Sequence, residues 1–175
     1  MDFLNGFNAS LIVYGQTGSG KTFTMFGDSS RTSSRPAATR GIVPRACEEI
    51  LEAVKEKLTR GYLETALAVS YVEVYGDQVT DLLKYGQRCG HSKASAQRFV
   101  LVGAAEQPVS SMADLEDALT RGDAQKRRAE TAMNQRSSSA HSLFILSLRQ
   151  TALASGVTIT SKLFFADLGG SEQVG

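Results

Sequence analysis

Cysteine and histidine are scarce: Cys47 and Cys89 are the two thiols of the 175-residue chain, and His91 and His141 its two imidazoles. The cysteines stand far apart, with no Cys-x-x-Cys and no histidine at ligand spacing. A zinc or redox motif is therefore excluded, and two reduced thiols in a cytosolic protein are expected. The histidines are too isolated for a metal site. No apolar run approaches the ~20 residues that a membrane helix needs, and the first ten residues hold Asp2 but no basic cluster, unlike a signal peptide. Charge of one sign is lacking too. The formal net charge of +1 gives no overall attraction to nucleic acid or an acidic polymer. Neither nucleic acid nor membrane is an expected partner.

What is present fits one domain with a sizeable core: 42% of residues are hydrophobic and 21% charged, ordinary for a globular protein. Residues 11–14 form a short apolar, β-branched run ending at Gly15, which reads as a buried strand. A helix should open after Gly20. Residues 27–41 hold Gly27, Pro36, Gly41 and several Ser and Thr, the composition of a solvated loop. Val43, Cys47, Ile50, Val54 and Leu58 recur at three- and four-residue spacing with Pro44 in the first turn, predicting an amphipathic helix that ends near Arg60-Gly61. Residues 67–75 read as a strand covered on both faces. Residues 84–97 are polar and read as loop, and 99–102 as a short strand. Ser111 with Asp114 marks a helix start, followed by a stripe of Leu115, Ala118 and Leu119. Residues 143–148 and 163–166 are two more strands. Strands alternating with helices predict an α/β fold with a mostly parallel sheet flanked by helices.

Gly15-Gln16-Thr17-Gly18-Ser19-Gly20-Lys21-Thr22 matches G-x-x-x-x-G-K-[ST] in full, with an apolar strand before it and a helix after. Glycines let the backbone wrap phosphate oxygens, and consecutive amides point inward. The helix start adds partial positive charge. Lys21 should reach the terminal phosphates and the Thr22 hydroxyl should ligate Mg²⁺. Asp167 ends an apolar strand in a glycine-rich turn, where a carboxylate can hold the water shell of Mg²⁺. Gly170 offers an amide to a γ-phosphate on a loop free to change shape. Residues 134–141 are a polar segment before a strand. Its serines suit a metal or phosphate contact, and equally a plain connector.

Three segments, in order and spacing, resemble the kinesin family. They are Tyr14-Gly15-Gln16-Thr17-Gly18-Ser19-Gly20-Lys21-Thr22-Phe23-Thr24-Met25; residues 131–141, similar to the switch I pattern N-x-x-S-S-R-S-H; and Asp167-Leu168-Gly169-Gly170-Ser171-Glu172, similar to switch II, D-L-A-G-S-E. Gly41-Ile42-Val43-Pro44-Arg45 and residues 69–75 also look like family segments. The resemblance implies a P-loop NTPase fold with helices on both faces of the sheet, and an ATP- and Mg²⁺-dependent microtubule motor of the cytoplasm and cytoskeleton. It implies that Gly15 to Thr22 hold the phosphates. Ser138 would join Thr22 and Asp167 around the metal, with Ser137 near the γ-phosphate. Gly170 would sense that phosphate, and Glu172 would belong to the catalytic switch. The loop at 27–41 would flank the nucleotide. Arg88, Lys93 and Arg98 would lie near tubulin. The resemblance also implies a partial motor domain, lacking the first strands and the C-terminal microtubule-binding helices and neck, with the strand at 11–14 left on an open edge. A homodimer would form through regions outside this chain.

Departures from the family pattern qualify this. The switch I arginine is Ser139 here, the next serine is Ala140, and Gly169 replaces an alanine. The arginine–glutamate bridge between the switches cannot form through Ser139 and Glu172, since serine is short and uncharged. Slow hydrolysis is the expectation. The alternative is a nucleotide-binding module that docks on microtubules or a partner without turnover. No Asn-Lys-x-Asp guanine signature supports a GTPase.

Overall fold

A computed structural model describes residues 2–28, 39–95, 98–132 and 139–171, with side chains described outside 91–95, 98–102 and 129–132. After a short 3-10 turn at Asp2–Asn5, the elements are β1 (Ala9–Val13), α1 (Lys21–Phe26), α2 (Ile42–Thr59), β2 (Leu63–Tyr75), β3 (Gln78–Asp81), β4 (Gln87–Arg88), β5 (Gly90–Ser95), β6 (Arg98–Val102), β7 (Gln107–Val109), α3 (Met112–Ala132), β8 (His141–Ala152) and β9 (Thr158–Asp167). The main sheet runs β1-β9-β8-β2-β3-β4, with β7 also on β2, and β5 pairs with β6 separately.

The α/β class stands, and β1 lies on an edge as expected, but two details of the sheet differ. It is mixed rather than mostly parallel: β1–β9 is the parallel pairing, whereas β8 runs antiparallel to both β2 and β9. For the β2–β3 and β8–β9 pairs the cause is connection length. β2 and β3 are joined by Gly76-Asp77 alone and β8 and β9 by residues 153–157, and parallel neighbours need a crossover of a dozen or more residues. Among the described residues the helices also share one face, not two. Val43, Cys47, Ile50 and Val54 of α2 and Leu115, Ala118 and Leu119 of α3 join one core with Leu67, Val69 and Tyr71 of β2, Phe144, Leu146 and Leu148 of β8, and Phe165 of β9.

Each helix follows from its sequence. The buried α2 residues recur every three or four positions, and the helix closes at Arg60 before Gly61, whose φ is +73°. In α3, the Asp114 amide donates to Ser111 Oγ at 3.2 Å while the Ser111 amide donates to Asp114 Oδ2 at 2.9 Å, a reciprocal cap for orphan donors. One turn beyond Leu119, α3 presses on β2. A Cβ added at Gly122 would sit 2.1 Å from the Tyr71 ring, so only glycine permits this approach. The Tyr71 hydroxyl then donates to Asp123 Oδ1 at 3.0 Å.

Part of the polar stretch read as loop at 84–97 is strand. β5 pairs antiparallel with β6 through backbone bonds, so no apolar alternation announces it. Cys47 is fully buried in the core and its thiol is pushed up to about 12 by burial, which keeps it protonated and inert. Among the described residues no helix is long and apolar enough to cross a membrane.

Candidate functional site

Strand register brings three polar residues to one end of an apolar face. Glu73 of β2 stands opposite Ser142 of β8, and Ser142 opposite Asp167 of β9; Val13 of β1 lies beside Asp167. All three polar residues are buried. From Val13 the chain leaves β1 into the glycine-rich loop, which turns through Gly18 and Gly20 at φ +79° and +86° and enters α1 at Lys21. α1 has only six residues, so its dipole is small. The capacity of this wall for an anion rests on the loop amides and Lys21.

Lys21 Nζ donates to the carbonyls of Gly15 at 2.9 Å and Gln16 at 2.8 Å, which holds the ammonium at the mouth of the loop. Thr22 Oγ1 donates to Asp167 Oδ2 at 2.6 Å, joining residues 145 positions apart. The other carboxylate oxygen, Asp167 Oδ1, is buried without a hydrogen-bond partner. Leaving such an atom unpaired is costly. A hydroxyl and a carboxylate with a spare buried oxygen form a hard donor set of the kind Mg²⁺ takes, so the residues present fit that ion.

The turn after β9 is sewn to its neighbours by backbone bonds. The Leu168 amide donates to Val13 O at 3.2 Å and the Ser171 amide to Gly15 O at 3.1 Å. The Gly169 amide donates to His141 Nδ1 at 2.8 Å. The neutral ring that accepts this bond carries its proton on Nε2. Gly169 also lies against Ser139: an added Cβ would be 2.7 Å from the Ser139 carbonyl carbon and 2.8 Å from its oxygen. The alanine of the family pattern would not fit here. Ser139 itself is exposed.

A cavity of about 180 Å³ lies between these walls, lined by Lys21, Thr22, Asp167 and Gly170. The structure thus gathers these predicted residues, with Thr17 and Gly18, in one place. Gly15, Gln16, Ser19 and Gly20 complete the same loop. Ser137, Ser138 and Glu172 lie outside the described residues, as does most of the 27–41 loop. Three further lining residues, Glu73, Lys126 and Ser142, do not stand out in the sequence. A signal exists for Glu73, a lone charge within the strand Val72-Glu73-Val74. Lys126 is hidden in the basic run Lys126-Arg127-Arg128.

The sequence profile of the kinesin motor domain matches residues 1–175. The chain belongs to the kinesin motor-domain family. It is 37% identical over 175 residues to a kinesin heavy chain of Gibberella moniliformis, covering 99% of this chain and 18% of that protein. A kinesin-like protein 3 of Schizosaccharomyces pombe is 35% identical, with 99% of this chain and 30% of that protein covered. A solved structure of a fast kinesin superposes with a TM-score of 0.88 at 34% identity, covering 99% of this chain and 48% of that one. The chain therefore spans less than a third of these two kinesins and about half of the solved kinesin chain.

Proposed function

We propose that this chain is the nucleotide-binding part of an ATP-hydrolysing, microtubule-based motor that works with Mg²⁺ on the cytoskeleton in the cytoplasm. The observation that carries the reading is the Thr22–Asp167 bond at 2.6 Å with Asp167 Oδ1 buried and unpartnered beside it. Few purely structural sites keep a buried carboxylate oxygen unsatisfied next to a phosphate-loop sequence.

Each residue then has a task. The amides of the 15–22 loop, apart from that of Ser19, which donates to Gln16 O, are offered to the phosphates, and Lys21 exchanges its carbonyl partners for β- and γ-phosphate oxygens. Thr22 and Asp167 hold the metal, joined by Ser138. Bound Mg²⁺ neutralises phosphate charge. Gly170 presents its amide to the terminal phosphate, and its turn, sewn to Val13 and Gly15, carries that contact back to the loop. Ser137 and Glu172 complete the two switches. The exposed side of the chain, with Arg88, faces tubulin. The experiment is binding of Mg·ATP to the unaltered protein, followed by phosphate release with and without microtubules. Failure of the protein to bind Mg·ATP in preference to Mg·GTP sinks the reading.

Ser139 favours a slower variant of this function, a module that binds nucleotide and docks with little turnover. It is uncharged and exposed and meets Gly169 through backbone. Losing an electrostatic organiser costs roughly two to four orders of magnitude in rate. Ser139→Arg, which restores the charge of the family pattern and leaves Gly169 in place, should raise microtubule-stimulated phosphate release. Brisk release by the unaltered protein would refute the slow reading.

A further inference from the structure

The cavity holds a second cation that the phosphate-loop argument leaves without a role. Lys126 projects from α3 into the cavity that Lys21 also lines. Its Nζ donates to Ser142 Oγ at 2.7 Å and lies 5.8 Å from the centre of the Phe26 ring. Its position is built. Gly122 lies one helical turn earlier on the same helix face, and it lets α3 come against Tyr71 more closely than any side chain would allow. Ser142 stands between Glu73 and Asp167 in register. An ammonium bonded to that serine is therefore centred on the polar row.

We propose that Lys126 binds the terminal phosphate of a nucleoside triphosphate in the cavity it shares with Lys21, and so strengthens triphosphate binding relative to diphosphate binding. This rests on the nucleotide-binding reading above. Two physical arguments carry it. The first is charge. The described lining has Lys21 and Lys126 against Glu73 and Asp167, which cancel formally; without Lys126 the lining would be negative and would repel a polyanion. The second is exchange of partner. The ammonium now spends a bond on a neutral hydroxyl, and a phosphate oxygen in the same cavity offers a stronger, charge-assisted one. Lysine is a flexible point charge that can make that move without disturbing the helix. Ser142 then serves as the resting place of the ammonium when no terminal phosphate is present.

A purely structural Lys126, there only to offset Glu73 and Asp167, would affect all nucleotides alike. The test therefore compares two probes, Mg²⁺ with the β,γ-imido analogue of ATP and Mg²⁺ with ADP, titrated into the unaltered protein, Lys126→Gln, Lys126→Arg and Lys21→Ala. Lys126→Gln should weaken the triphosphate analogue about tenfold, as loss of one charge-assisted contact does, and change ADP less than about twofold. Lys126→Arg should recover most of the loss. Equal weakening of both probes, no weakening of either, or no recovery by arginine overturns the proposal. Lys21→Ala separates the levels: if the unaltered protein binds neither probe, or if Lys21→Ala binds both as tightly as the unaltered protein does, the nucleotide reading itself has failed and the Lys126 role falls with it.

Discussion

The two walls of the cavity are built on different principles. One is a single stretch of chain, Gly15 to Thr22, whose backbone does most of the work and whose lysine folds onto its own carbonyls. The other has no local existence. Glu73, Ser142, Asp167 and Lys126 come from three strands and a helix, and they meet because register and one tight helix–strand approach place them together. The first wall should tolerate changes in the rest of the protein and fail abruptly when its lysine is lost. The second should respond in graded fashion to anything that shifts a strand, a turn or α3.

Substitutions can break this contrast, beginning with the loop. Lys21→Ala removes the proposed phosphate-binding ammonium and should lower Mg·ATP affinity about 100-fold by calorimetric titration, with the melting midpoint nearly unchanged. A large loss of stability would mean that Lys21 mainly braces the loop. Asp167→Asn should act on binding and stability with opposite signs. Mg²⁺-dependent affinity should fall about tenfold, while the melting midpoint holds or rises because a buried, half-satisfied carboxylate is neutralised. A fall in both would assign Asp167 to the fold alone. Gly169→Ala tests the meeting of two loops. Its Cβ would press on Ser139 backbone atoms, so about 1–3 kcal/mol of stability should be lost in chemical denaturation; an unchanged midpoint would mean that the two loops separate freely.

The smallest effect belongs to the far end of α3. Ser111→Ala deletes a cap and should cost about 1 kcal/mol without altering nucleotide selectivity, whereas altered selectivity would show that fraying reaches Lys126. The same cap has a pH signature. The Ser110 amide and hydroxyl, and then Ser111, hold the Asp114 carboxyl below its ordinary value. Its folded value lies below its unfolded one, so its contribution is complete at neutral pH and disappears as pH falls through the carboxylate range.

The same contrast governs how much of the molecule is legible in its sequence. The phosphate loop is legible because its chemistry sits in eight consecutive residues, and α2 is legible because its buried stripe follows one period. Asp167 and Gly170 show themselves through a local glycine-rich turn at a strand end. Lys126 and Ser142 do not, because nothing near them in sequence marks them; their meaning arises only when β8 lies between β2 and β9. The sheet's mixed direction is hidden for a related reason. Alternating strands and helices suggest crossovers, but the five residues between β8 and β9 permit only a hairpin. The polar β5 escapes because backbone pairing without a buried face leaves no hydrophobic rhythm.

That short hairpin has a reach out of proportion to its size. Residues 153–157 lie about 30 Å along β9 from Asp167, at about 3.3 Å per residue, yet they set which residue of β9 faces Ser142. One residue added or removed there, if the strand slid to accommodate it, would turn the carboxylate to the opposite side of the sheet and bring Ala166 or Leu168 to the gap beside Thr22. The surface turn is in effect the ruler for the pocket at Thr22 and Asp167. Changes in its length, at a place with no chemistry of its own, would silence the molecule as completely as the loss of a ligand.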